Sequence, residues 1–158
     1  MRRAIVPILL IAFLLAAPSG AAADARADGL AVWRQMEIAQ LQICSGEKCR
    51  KLTVKVADTP AELAQGMQYL DPEQVRANPI WFVIQPPRKM GWHMHHVALA
   101  LDIVFVDANH RVVGIQRMQP ERSGYGIDRP IGYALEVAAG EAGVFGLERG
   151  AAIRATHD

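Results

Sequence analysis

Histidine and methionine crowd one short stretch of the chain. The segment "GWHMHHVAL" holds His93, His95 and His96 around Met94, three of the five histidines in the sequence. Imidazole nitrogens suit copper and zinc, and a thioether adds a preference for reduced copper. If the stretch is extended, side chains alternate, so Trp92, Met94 and His96 share one face and His93 and His95 the other. That spacing points to a copper or zinc site drawn from His93, His95, His96 and Met94. Water, a carboxylate or His110 would have to complete it. The competing expectation is that these are exposed histidines in a loop beside a ligand groove.

Two acids stand where acids are expensive. Asp102 interrupts "LDIVFVD" and Glu136 interrupts "YALEV", each with apolar neighbours on both sides. A carboxylate in such surroundings is costly to bury unless it is paired or hydrogen-bonded. On neighbouring strands the two could serve as an acid and base for hydrolysis. The plainer expectation is that each accepts backbone N–H groups or pairs with an arginine such as Arg122 or Arg129. No serine or cysteine nucleophile with a companion histidine can be picked out, and no phosphate-cradling glycine loop is present, so the sequence gives an enzyme no positive support. A groove on this part of the chain is expected to be lined by Trp92, Met94, His96, Asp102, Ser123 and Tyr125.

The compartment follows from the other end of the sequence. Arg2 and Arg3, an apolar run from Ala4 to Ala17 and the small residues of "SGAAA" form a secretory signal, with cleavage expected after Ala23. The apolar run is too short to span a bilayer comfortably, and no cysteine follows it to carry a lipid, so no stable membrane anchor is expected after cleavage. The protein is read as periplasmic or secreted. Of 17 basic residues, loss of Arg2 and Arg3 leaves 15 against 16 acidic, a net charge of −1. Such a balance offers no field for nucleic acid or an anionic membrane surface. The expected partner is a small molecule or another protein.

An oxidising compartment gives meaning to the two cysteines. Cys44 and Cys49 flank Ser-Gly-Glu-Lys, with strand-like residues on both sides. A four-residue hairpin loop over Ser45 to Lys48 would place them face to face across the ladder, which fits a cross-strand disulfide. A metal or redox pair is the alternative, but a redox dithiol usually sits in Cys-x-x-Cys at a helix start.

The elements that must position these groups are mostly strands. Thr59, Pro60 and Glu62 form a helix-start signature, followed by Leu63, Gly66, Met67 and Leu70 at helical spacing, with Asp71-Pro72 expected to stop the helix. "IWFVI" reads as a strand ended by Pro86-Pro87. "LDIVFVD" and "RVVGIQ" read as a hairpin through Ala108, Asn109 and His110. "GYALEVAAG" is a further strand, "GEAGVFGLERG" a helical turn stopped by Gly146, and "AAIRA" a final strand.

With those segments in order, the chain resembles the domain-of-unknown-function family 192. "LTVKVADTPAELAQGM", "IWFVI", "HMHHVALALDIVFVDANHRVVGI", "QPERSGYG" and "YALEVAAGEAGVFGLERG" follow one another as in that bacterial and archaeal group, from about Cys44 to Ile153. The resemblance implies a compact, partly barrel-like β domain with small helices, often exported, and implies no reaction. This chain departs from the family where members usually carry Trp-Met-Lys-Asn-Thr and an aliphatic-proline step. Here stand His93-Met94-His95-His96-Val97 and Ala98-Leu99-Ala100, and only Met94, Leu101 and Asp102 keep the pattern. Ala151 follows Gly150 where an acid is common.

The resulting expectation is a mainly β (α+β) protein with an antiparallel, partly barrel-like sheet and two short helices. It comprises a signal peptide over 1–23, an N-terminal extension over 24–43 and one globular domain over 44–158. The function expected first is an exported binding or accessory module of unassigned ligand, with copper or zinc binding second and a hydrolase built on Asp102 and Glu136 third.

Overall fold

A computed structural model describes residues 20–156. The expected signal lies almost wholly outside them. Along the chain run α1 (Gly20–Gln35), β1 (Ile38–Ser45), β2 (Lys48–Ala57), α2 (Pro60–Gln65), α3 (Pro72–Ala77), β3 (Ile80–Arg88) and β4 (Trp92–His93). Then come β5 (Leu101–Val106), β6 (Val112–Met118), β7 (Ser123–Tyr125), β8 (Ile131–Ala138), α4 (Glu141–Val144) and β9 (Ala152–Thr156). Seven strands form one sheet in the order β6-β5-β8-β3-β2-β1-β9, and β4 and β7 form a separate ribbon.

The sheet is mixed, because β2 and β3 run parallel over Lys55–Ala57 and Ile80–Phe82 while the other pairs are antiparallel. The crossover between them holds α2 and α3, as a parallel connection requires. Nor does the sheet close into a barrel. Its two edges meet at a single bridge between Arg111, just before β6, and Ala152 of β9.

Local chemistry explains most boundaries. Thr59 caps α2: its hydroxyl accepts from Glu62 N at 3.3 Å while the Glu62 carboxylate accepts from Thr59 N at 3.0 Å. Asp71-Pro72 starts α3 rather than ending α2, because Asp71 accepts from Gln74 N at 2.8 Å and Pro72 takes the first helical position. Gly66, at φ 48°, ends α2 instead. Counting α1 and α4, the described residues hold four helices, not two. β3 continues through Pro86 and Pro87, because its ladder with β2 stops at Phe82 and its register with β8 shifts between Val83 and Arg88. No ladder hydrogen bond is asked of those prolines.

Both faces of the sheet are buried. One carries Ile80, Phe82, Ile103 and Phe105 beneath Trp33, Met67, Leu70 and Val75 from the helical side. The other carries Leu41, Val54, Val104, Leu135 and Val137 under Ala142 and Leu147. Part of the stretch expected to be an extension is built into this core, since α1 buries Trp33, Met36 follows it inside, and β1 starts at Ile38. The cysteines face each other in register and are joined as a disulfide. The hairpin is tighter than expected: Ser45 and Lys48 also pair, which leaves Gly46 and Glu47 at the turn, with Gly46 at φ 57°.

Candidate functional site

Glu136 lies in the middle of the sheet, on β8, opposite Ile80 of β3 on one side and Ile103 of β5 on the other. Residues directly opposite in a ladder share a face, so its side chain points with Ile80 and Ile103 into the helical side of the core. It is 4% exposed. Among the described residues, no hydrogen-bond donor reaches its carboxyl group. Burial without a compensating partner pushes its pKa up from 4.5 to about 8, so the acid is neutral at pH 7.

The space in front of that carboxyl is a cavity of about 400 Å³ between α2, β3 and the Met90–His93 segment. Phe82, Met67, Leu63 and Trp92 supply its apolar walls, and Arg88 and His93 border it as well. Trp92 is held edge-on to Phe82, with ring centroids 6.3 Å apart, and to Phe105 at 5.5 Å. Gly66 passes close to the acid: a Cβ there would meet Glu136 Oε2 at 3.7 Å and Phe82 at 3.6 Å, ordinary van der Waals distances, so space does not demand a glycine. At φ 48° the position favours glycine conformationally.

Next to the cavity, three non-glycine residues adopt positive φ: Tyr69 at 65°, His96 at 59° and Glu121 at 57°. They are tied together. Tyr69 N donates to His96 O at 2.8 Å, His96 N donates to Glu121 Oε1 at 3.0 Å, and the Tyr69 and His96 rings stack at 4.6 Å. Such backbone conformations persist only where the surroundings over-determine them, and they cluster at functional sites.

The histidine stretch is not the alternating strand expected from its spacing. Only Trp92 and His93 are extended, paired with Tyr125 and Ser123 of β7 across a register shift. Met94 to Val97 is a turn, closed by Val97 N donating to Met94 O at 3.2 Å, with His96 in the left-handed region. Trp92 and Met94 therefore go into the core, Met94 with no exposed surface, while His93, His95 and His96 stay outside. His93 and His95 do come together, with ring centroids 4.9 Å apart, and His95 Nδ1 lies 3.6 Å from Glu121 Oε2. His96 is taken up by Tyr69, and His110 lies beside Tyr133 with centroids 4.6 Å apart. Among the described residues, no group of three or more His, Cys, Asp or Glu side chains is placed to hold a metal ion.

Asp102 does not join Glu136. It lies opposite Val137 on β8, hence on the other face of the sheet, and the expected acid and base pair cannot open into one cleft. It takes the plainer role, with Arg117 as partner in place of Arg122 or Arg129. Arg117 Nε donates to Oδ1 at 2.8 Å, Arg117 Nη2 to Oδ2 at 3.2 Å, and Gly140 N to Oδ2 at 2.7 Å. The hydrogen bonds and charge of Asp102 in turn raise the pKa of Arg117. Of the other groove residues expected, Ser123 is exposed on β7, and Tyr125 is half-buried with its hydroxyl accepting from Gln119 N at 2.9 Å. Trp92 alone of the six expected lining residues borders the cavity. Met67, expected only as part of the apolar helical face, lines the cavity with Phe82 and Arg88, and nothing in their local sequence says that α2, β3 and β4 converge.

The family model DUF192, described as an uncharacterized ACR, matches residues 41–155. The chain belongs to the DUF192 family. The match takes in the whole sheet except the first residues of β1 and the last of β9, and it includes Glu136 and every cavity residue; α1 precedes it. Two solved structures share the fold. A protein of unknown function from Novosphingobium aromaticivorans DSM 12444 aligns at a TM-score of 0.68 and 23% identity, over 75% of this chain and 86% of that one. A chain from Sinorhizobium meliloti 1021, described as a "putative transcription regulator", aligns at 0.67 and 21%, over 76% and 95%. At those identities the likeness to these two structures is one of fold. No curated protein matches the sequence.

Proposed function

We propose that this DUF192 protein is an exported binding module that takes a small, largely apolar ligand into the cavity above Glu136. One observation carries the reading: the carboxyl group of Glu136, a residue 4% exposed, has no protein partner among the described residues and faces an open, mainly apolar cavity. Burying such a group costs free energy that no local contact returns, so stability does not account for it, and the apolar walls around it gain when a ligand covers them. A volume of about 400 Å³ falls within the range of small-molecule pockets, about 300–1,000 Å³. Export is supported by the signal-like N-terminus and by the Cys44–Cys49 disulfide, which suits an oxidising compartment. Among the described residues, no helix is long and apolar enough to cross a membrane.

The test uses the neutral fluorescent probe N-phenyl-1-naphthylamine. It should bind the purified protein at one saturable site and raise its melting temperature, as any ligand of the folded state does. Ala64→Trp places an indole at the exposed border of the cavity and should abolish probe binding without lowering the melting temperature of the free protein. Probe binding that is absent, or unchanged in that variant, would remove the cavity as the ligand site.

A further inference from the structure

The cavity is chemically polarised. Its border carries two groups able to bear positive charge, Arg88 at the end of β3 and His93 on β4, both exposed. Its walls are Phe82, Trp92, Met67 and Leu63, and Glu136 is the one acid that lines it among the described residues. The two ends are well separated. Arg88 lies opposite Ile131 on β8 and Ile80 opposite Glu136. Five residues of strand at about 3.3 Å each put roughly 16 Å between the two backbone positions.

From this arrangement we propose that the cavity binds a medium-chain amphiphilic carboxylate, its charged head at the mouth against Arg88 and His93 and its apolar chain along Phe82 and Trp92 towards Glu136. The proposal rests on the cavity being a ligand site and adds which ligand chemistry it takes. Charge complementarity sets the direction. A guanidinium offers a paired set of donors to a carboxylate, and charge-assisted hydrogen bonds of that kind are the stronger ones. An organic cation would meet Arg88 on entry and find the acid at the far end uncharged at neutral pH. The neutral Glu136 tolerates a hydrocarbon end that a carboxylate ion would repel through its need for water. A volume of about 400 Å³ lies towards the lower end of small-molecule pockets, which suits a chain of about ten carbons better than a full-length fatty acyl chain.

Displacement of N-phenyl-1-naphthylamine from the purified protein at pH 7 by decanoate, decan-1-ol and decyltrimethylammonium tests the proposal. Decanoate should bind about tenfold more tightly than the other two, the equivalent of one charge-assisted contact. Arg88→Gln, at an exposed position, should lower decanoate affinity by about the same factor and leave decan-1-ol within about twofold. Equal affinities for decanoate and decan-1-ol, or no effect of Arg88→Gln on decanoate, would overturn the anion proposal while leaving the cavity reading in place. Failure of all three, together with no binding of the naphthylamine itself, would overturn both. A hexadecanoate that binds more tightly than decanoate would overturn the chain length.

Discussion

Glu136 makes the stability of this protein depend on pH in a direction opposite to that of most carboxylates. Its pKa is about 8 in the fold and 4.5 as the ordinary value, so between those limits the folded state holds a proton that the unfolded chain has released. Stability from this group is fully present below pH 4.5 and is lost as the pH rises towards 8, with a slope of about −1.4 kcal/mol per pH unit. Across the full window the loss amounts to about 5 kcal/mol. Above pH 8 both states are ionised and the slope vanishes. Glu136→Gln keeps the shape and removes the proton, so every other titrating group cancels in the comparison. Urea unfolding of both proteins at pH 5, 6, 7, 8 and 9 should show the wild type losing about 3 kcal/mol relative to the variant between pH 5 and 7. Parallel stability profiles would mean that the carboxyl is hydrated or paired, and Glu136 would not be a neutral acid in an apolar cavity.

Asp102→Ala should cost about 1–3 kcal/mol, because Gly140 N loses its acceptor while the half-exposed Arg117 returns to water; Asp102→Asn should cost less, since it still accepts from Gly140. Chemical denaturation of both variants measures the difference. Reduction of Cys44–Cys49 should lower stability by about 2 kcal/mol and leave a folded protein, because in the chain-entropy picture so short a loop constrains the unfolded chain only modestly. Mass spectrometry with alkylation identifies the reduced form, and circular dichroism reports the fold. Met94→Ala should destabilise by about 2–5 kcal/mol as a core truncation, whereas Met94→Leu should be nearly neutral in a thermal melt.

What could be read from the residues was local. The Thr59 cap with Glu62, the Cys44–Cys49 pairing, the hairpin turning at Asp107 to His110 and the final strand depend on neighbours in sequence, and each is in place. The oddity of Asp102 and Glu136 was legible too, since an acid inside an apolar strand needs an explanation wherever it points. Which way each points was not. Their faces follow from the pairing of Asp102 with Val137 and Ile103 with Glu136, a register set by the whole sheet. Likewise the alternation that would put Met94 and His96 on one face fails because His96 enters the left-handed region, stabilised by contacts to Tyr69 and Glu121 that are 27 and 25 residues away. The turn at Asp71-Pro72 shows an ambiguity of another kind: Asp-Pro can end one helix or cap the next, and here Gly66 had already ended the first. The cavity itself is assembled from α2, β3, β4 and β8, and no local pattern announces that convergence.

A ligand cavity above Glu136 requires that this one side chain hold its proton at neutral pH. The ¹³C resonance of the Glu136 side-chain carboxyl, assigned by comparison with Glu136→Gln, can be followed from pH 4 to pH 10 with and without N-phenyl-1-naphthylamine. A midpoint near 8 in the free protein, moving higher when the probe further shields the carboxyl from solvent, is the predicted result. A midpoint in the ordinary carboxylate range that the probe leaves untouched would contradict the account.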